Sequence, residues 1–374
     1  MLIGVPREIK PQEYRVGLVP GSVRELVAHG HQVLVQSGAG SGIGALDDDY
    51  RSAGASISES AEEIFAHARL IVKVKEPQPA ECKLLQAQHI LFTYLHLAPD
   101  PQQARELQQS GATCIAYETV TADNGSLPLL APMSEIAGRL SVQAGAHWLE
   151  KAHGGRGILL GGVPGVAPSK VVVLGGGAVG QHAVAVALGM GADVWVLDRN
   201  MEVLRRLWRQ FGQNLNPVYS THEAIEQHVS SADLVIGSVL IPGATAPKLI
   251  THALVRRMRP GSVIVDVAID QGGCCETSHP TTHDAPTYLV DGVIHYCVAN
   301  MPGCVPCTSA QALNNATLPY VIKLADEGLA ALLHDRHLRN GLNIFHGNIT
   351  NAPVAAALGQ PYMPPEPLLA QLPH

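Results

Sequence analysis

The stretch Val171 to Asp198, VVVLGGGAVGQHAVAVALGMGADVWVLD, decides how the rest of the chain is read. Four apolar, β-rich residues (Val171 to Leu174) run into Gly175, Gly177 and Gly180 at G-x-G-x-x-G spacing. An Ala/Val/Leu-rich helical run follows to Met190, and a second strand, Val194 to Leu197, ends on Asp198. Gly175 permits the tight strand-to-helix turn, Gly177 lets backbone approach a pyrophosphate, and Gly180 lets helix and strand pack closely. The helix N-terminus, reached through Ala178 and Val179, presents free N–H groups and the positive end of its dipole to phosphates. A carboxylate at Asp198 accepts hydrogen bonds from the adenosine ribose and repels a 2′-phosphate, which favours NAD over NADP. The order strand, turn, helix, strand, acid therefore predicts a dinucleotide-binding unit.

Downstream the alternation continues. The pattern predicts a helix about Met201 to Gln210, a strand at Val218 to Tyr219, a helix to Val229, a strand Asp233 to Gly237, a helix Leu249 to Met258 and a strand Ser262 to Val267. These complete a doubly wound domain, whose ligands lie beyond the carboxyl ends of the strands. Ser220, Val239, Leu240 and the segment Val267, Ala268, Ile269, Asp270 are thereby placed facing the dinucleotide, Asp270 toward its nicotinamide end. Residues 296–309 read as a strand leaving the sheet. Thr308 to Leu333 reads as a long helical return broken near Pro319, and the tail as Pro-rich and loosely patterned.

Upstream, short apolar strands at Leu2 to Val5, Gln32 to Gln36, Leu70 to Lys75, Ile90 to Leu95 and Thr113 to Ala116 alternate with helical stretches such as Gly21 to His29 and Ala61 to Ala68. This is a second parallel α/β sheet. Ionisable residues fall at its strand ends: Arg15 in the loop after the first strand, Lys75 closing the third, His96 closing the fourth and Glu118 after the fifth. Arginine grips a carboxylate bidentately, lysine polarises a carbonyl, and histidine exchanges protons near neutral pH. Together they form a site for a small oxo acid or amino acid. Near Pro128 to Pro132 the domain changes, with Ser134 read as the N-cap of a long connecting helix through Ile136, Leu140, Ala144 and Trp148.

The chain has 374 residues and a formal charge of −7, which suits two domains and offers no electrostatic case for nucleic acid or membrane surfaces. Val171 to Ala192 is apolar over a spanning length, but its glycines would break such a helix, so no membrane span is read. The N-terminus lacks a secretory pattern and the seven cysteines are odd in number and scattered, which leads to an expectation of reduced thiols and a cytoplasmic setting. Cys304-Val-Pro-Cys307 has no second C-x-x-C or H-x3-H to complete a zinc site, so no metal is expected.

The strings IGVPREIKPQEYRVGLVP, VKVKEP, FTYLHLA, AYETV, LPLLAPMSEIAGR, GGRGILLGGVPGV, DLVIGSVLIPGA, VDVAIDQGGC and YCVANMPG, spread over residues 1 to about 320, resemble the alanine dehydrogenase family. That family shares its fold with the nucleotide-binding α subunit of proton-translocating transhydrogenase. The resemblance implies two Rossmann-like α/β domains with parallel sheets, joined by long helices. The substrate domain would be discontinuous (1–129 and 307–374), with an NAD-binding domain at 130–306. It implies that Arg15 and Lys75 hold substrate, that His96 and Asp270 are catalytic, and that NAD also touches Ser134 and the segment Val298, Ala299, Asn300, Met301. It further implies interconversion of L-alanine with pyruvate and ammonium, and a homo-hexamer. Val203 and Cys307 depart from the family pattern, standing where basic residues are usual, with Arg199 as a replacement for the lost charge. The alternatives are a transhydrogenase-like hydride carrier, an amino-acid dehydrogenase for a larger substrate, and a non-catalytic NAD sensor with Cys304 and Cys307 as a thiol switch.

Overall fold

The computed structural model of the protein describes residues 1–239 and 246–371. The chain divides into two compact units, Met1–Met133 with Val305–His374, and Ser134–Cys304. The first begins with β1 (Leu2–Val5), β2 (Gln32–Gln36), β3 (Ser56–Ser58), β4 (Leu70–Val72), β5 (Ile90–Thr93) and β6 (Thr113–Ala116). The second contains β7 (Lys170–Leu174), β8 (Asp193–Asp198), β9 (Leu215–Tyr219), β10 (Leu234–Gly237), β11 (Val263–Asp266), β12 (Thr287–Val290) and β13 (Val293–Tyr296). The chain then returns to the first unit with β14 (Leu342–Phe345) and β15 (Asn348–Ile349).

The first sheet runs β15-β14-β6-β5-β4-β1-β2-β3 and the second β12-β13-β11-β10-β7-β8-β9. Strands β1 to β6 pair in parallel, as do β7 to β11 and β13; β14, β15 and β12 are antiparallel additions at edges. Parallel strands need apolar residues on both faces, and every residue of β5, β6, β10 and β11 is buried. Ile64, Ile71, Leu91, Leu107 and Cys114 pack in the first core. Val172, Leu174, Val235, Leu254 and Ile264 pack in the second.

The helix after β7, Ala178–Gly189, buries Gly180, Ala183, Val184 and Ala187, spaced as one helical stripe. Its contact with the preceding loop is so close that a Cβ on Gly180 would stand 1.8 Å from the Gly175 carbonyl oxygen. The first unit is closed across a long stretch of sequence: the buried Asn314 accepts a 2.9 Å hydrogen bond from the Val19 N–H.

Several sequence expectations are corrected. Ser134 is not an N-cap but lies inside the helix Ala131–Trp148, which starts earlier because Pro132 fits a first turn, where no N–H is needed. The helix Pro306–Glu327 runs unbroken through Pro319, held by Leu313, Asn314, Thr317, Val321 and Leu324 buried on both sides of it. Residues 296–309 are not a strand: β13 ends at Tyr296, Asn300 takes a φ of 59°, and Met301–Cys304 forms a 3-10 turn. The helix at 249–258 shrinks to His252–Val255, capped by Thr251. The tail is ordered into strands and helices, with β14 and β15 joined through His346 (φ 46°) and Gly347 (φ 80°), the two positive φ values that a tight hairpin requires.

Candidate active site

In the second unit, Gly175, Ser220, Val239, Val267 to Asp270 and Val298 to Met301 all follow the carboxyl ends of parallel strands, so the topology brings them to one edge. Leu240 lies outside the described residues. Gly175 has a φ of 95°, which a side chain disfavours. Gly177 caps the helix from an extended conformation, and a Cβ there would meet no atom within 4 Å. This open cradle at a helix N-terminus fits a pyrophosphate. The helix that carries Ser134 packs against the start of the helix Ala178–Gly189. Gly138, one turn on, is packed so tightly on the start of the neighbouring helix that its Cβ would lie 2.1 Å from the Val179 oxygen.

Asp198 is fixed by accepting hydrogen bonds of 2.7 Å from each of the Gly176 and Asn200 N–H groups. Val203 packs beneath Gly176, where a Cβ would stand 2.6 Å from its Cγ1. The guanidinium bonded to this loop is not that of the exposed Arg199 but of Arg206, whose Nη2 donates to the Gly176 oxygen at 3.0 Å. Ser220 is buried, with its N–H bonded to the Asp198 carbonyl. Val267–Gln271 forms a 3-10 turn that buries Ile269 and leaves Asp270 exposed. Val298 and Met301 are buried, while Ala299 and Asn300 are partly exposed.

The two cradle glycines separate folding from binding. Gly180→Ala drives a methyl into backbone and is expected to destabilise the protein by about 1–3 kcal/mol, as overpacking does. Gly177→Ala has room and a compatible backbone, so its unfolding midpoint should stay near wild type while NADH binding, read by nucleotide fluorescence, weakens. Equal losses of stability in the two variants would refute the distinction.

In the first unit, β4 stops at Val72 and β5 at Thr93, so Lys75 and His96 do not close strands but stand three residues beyond them, in loops. Arg15 is buried, and its Nε and Nη2 bind the Glu13 carboxylate at 2.6 and 2.5 Å, so that edge is spent within the protein. Its Nη1 lies 3.0 Å from the Met133 sulfur. Burial opposes the Arg15 charge, but the bonds to Glu13 and its charge outweigh burial and raise the guanidinium's pKa.

Lys75 differs: among the described residues its ammonium has no hydrogen bond or ion pair. Burial, together with the charges of Arg15 and Lys10, pulls its pKa below the usual lysine value despite Glu76 and Glu13. Tyr94 connects the group, feeling the charge of Arg15 and stacking on His96 with centroids 5.7 Å apart and planes within 5°. His96 has a φ of 49° and an exposed ring. Glu118 holds this strained turn by accepting the N–H groups of Leu95 (3.2 Å) and His96 (2.6 Å).

Sequence reasoning passed over Lys73, two residues before Lys75. Its fully buried ammonium bridges Glu8 (3.0 Å) and Glu81 (2.8 Å), and Glu8 also accepts the Val74 N–H, which ties the Arg15 loop to the strand. The alternation VKVK places both lysines on one face of an extended chain, so it gives no signal of which one is paired; the partners Glu8 and Glu81 do. An unpaired, desolvated ammonium costs stability that the native site does not recover without a ligand. Lys75→Gln is therefore expected to raise stability by roughly 0.5–1 kcal/mol while abolishing turnover. The sign follows from the lowered pKa: the penalty is fully present below it and fades as pH rises toward the ordinary lysine range. Denaturant melts at neutral and alkaline pH should show the gap between variant and wild type closing; a variant less stable than wild type at neutral pH would exclude this account.

A doubly wound unit with a glycine cradle, on a chain whose other sheet edge presents arginine, lysine and histidine, defines a nucleotide-binding oxidoreductase. Residues 4–137 match the family description "Alanine dehydrogenase/PNT, N-terminal domain", and residues 141–352 match "Alanine dehydrogenase/PNT, C-terminal domain". The chain is 57% identical to alanine dehydrogenase of Halomonas elongata over 97% of its length and 98% of the relative's. It is 51% identical to that of Bacillus subtilis, covering 99% and 98% of the two chains. A solved L-alanine dehydrogenase superposes with a TM-score of 0.94 at 55% identity, over 96% of this chain and 99% of that one. A transhydrogenase from Sinorhizobium meliloti, at 22% identity and a TM-score of 0.81, shares the fold. The chain belongs to the alanine dehydrogenase/transhydrogenase family.

Proposed function

We propose that the protein is an NAD-dependent L-alanine dehydrogenase, converting L-alanine, NAD and water to pyruvate, ammonium and NADH, and the reverse. The observation that carries this reading is identity above half over nearly the whole chain to a protein named for that activity. NAD, when bound, accepts the hydride from the substrate Cα. Gly175, Gly177, Ala178, Val179 and Gly180 would hold its pyrophosphate, Asp198 its ribose, and Ser134, Ser220, Val239, Leu240, Val267 to Asp270 and Val298 to Met301 the remainder. A 2′-phosphate would meet the fixed Asp198 charge, which disfavours NADP.

Arg15 holds the substrate carboxylate. Lys75, which has no acceptor among the described residues, polarises the carbonyl or imine. His96 moves protons to and from the substrate nitrogen and the attacking water, on a loop open to solvent. Asp270 orients ammonia or water and stabilises the cationic nitrogen. No helix among the described residues is long and apolar enough to cross a membrane. The reading includes a cytoplasmic homo-hexamer.

The test is oxidation of NADH by the purified protein with pyruvate, with and without ammonium, beside glyoxylate, 2-oxobutyrate and NADPH. Ammonium-dependent consumption that prefers pyruvate and NADH is expected. Tight NADH binding without turnover would overturn it in favour of a carrier or sensor.

A further inference from the structure

The C-terminal end of the helix Ala131–Trp148 carries His147, and the chain leaves it through Glu150 into a 3-10 turn, Lys151–His153. The Glu150 N–H bonds to the His147 carbonyl (3.2 Å) and the His153 N–H to the Glu150 carbonyl (3.1 Å). These successive i to i+3 steps bring residues 147, 150 and 153 onto one side of the chain, because a three-residue repeat eclipses side chains. One imidazole nitrogen from each histidine and one Glu150 oxygen lie within 4.8 Å of one another. The two imidazole rings are 3.9 Å apart, and His153 Nε2 is 3.7 Å from Glu150 Oε2.

We propose that His147, Glu150 and His153 bind a divalent transition-metal ion of the zinc class, outside the dinucleotide and substrate sites. Two imidazoles and one carboxylate are the donor set that suits zinc and its neighbours, and they exclude calcium and magnesium, which take all-oxygen shells. Zinc bonds of about 2.0–2.2 Å set donors roughly 3.5 Å apart in a tetrahedron. The three donors are within 4.8 Å of one another, and two of the side chains are exposed, so binding requires only side-chain rotation to reach this spacing. The backbone beneath is already set. Gly154 (φ 88°) ends the turn, Gly155 packs where a Cβ would be 2.3 Å from the Trp148 oxygen, and the Gly157 N–H bonds to the Leu149 carbonyl at 2.8 Å. Three protein ligands leave a coordination position for water or an outside ligand.

The experiment is equilibrium dialysis of the untagged, chelator-stripped full-length protein against zinc, with the visible spectrum of the cobalt-loaded protein recorded in parallel. One equivalent is expected to bind, and cobalt to give the ligand-field bands of a low-coordinate site. Losing an outer-shell partner costs metal sites about 10–100-fold in affinity, so His147→Ala and His153→Ala should each weaken binding by at least about tenfold and lose the cobalt bands. Cys304→Ser/Cys307→Ser should bind as wild type, and all these variants should keep wild-type alanine turnover in the absence of added metal. Zinc binding unchanged in both histidine variants, its loss in the cysteine variant, or no binding by wild type would overturn the assignment.

Discussion

His96→Ala is expected to lower kcat by about 10²–10⁴-fold, the usual contribution of a positioned general acid and base. NADH binding should persist, since none of the residues proposed to hold the dinucleotide lies in the first unit beside His96. Stopped-flow turnover and nucleotide fluorescence on the same preparation check the two halves. Near-normal turnover with intact binding would remove His96 from proton transfer. Backbone geometry supplies a second readout. With φ at 49°, an alanine retains the strain and a glycine does not, so His96→Gly should be as inactive as His96→Ala but more stable, by about 1 kcal/mol. Glu118 acts through this turn rather than on substrate. Glu118→Gln, which keeps an acceptor oxygen for the His96 N–H, should retain more activity than Glu118→Ala.

Lys73→Met is expected to destabilise the protein by about 3–5 kcal/mol, because it leaves Glu8 and Glu81 buried without their shared cation. Burial and the Glu81 charge already raise the Glu8 pKa against the pull of Lys73, and removing the ammonium strengthens that rise. A carboxyl with a raised folded pKa penalises the native state above that pKa and ceases to do so below it. The deficit should therefore be greatest at alkaline pH and shrink on acidification. Urea melts across pH measure this directly; a deficit under about 1 kcal/mol at alkaline pH, or one that grows in acid, would contradict the buried triad.

Much of this was readable because it is local. The glycines and Asp198 announce their turn, helix and acid by spacing, and the buried parallel strands are short apolar runs. Part of what escaped depended on partners distant in sequence. Lys73 and Lys75 are alike in sequence, and only the folding of Glu8 and Glu81 around one of them distinguishes a structural cation from an unpaired one. Pro319 reads as a break until the burial on both sides of it is known. The reading of Arg15 as a two-pronged carboxylate clamp did not anticipate Glu13 taking one edge. The β12–β13 hairpin was legible and missed, since Asp291-Gly292 adopts the paired positive φ values of a tight turn. Val203 stands out in the sequence as a departure, yet only the fold shows that Arg206, on the same helix, is the side chain whose guanidinium reaches the glycine loop.

The interrupted chain of the first unit has a consequence for biosynthesis. A ribosome finishes residues 134–304 before it makes Leu342–Phe345, the strand that covers β6. At about 5–20 residues per second, the edge of β6 waits roughly 10–45 s for its partner. The nascent chain thus carries a complete nucleotide domain beside an unfinished sheet with an unpaired flank, the kind of edge that recruits foreign strands. Chaperone demand during synthesis should concentrate on the first 133 residues, and truncations that remove the last strands should be more damaging than their length suggests.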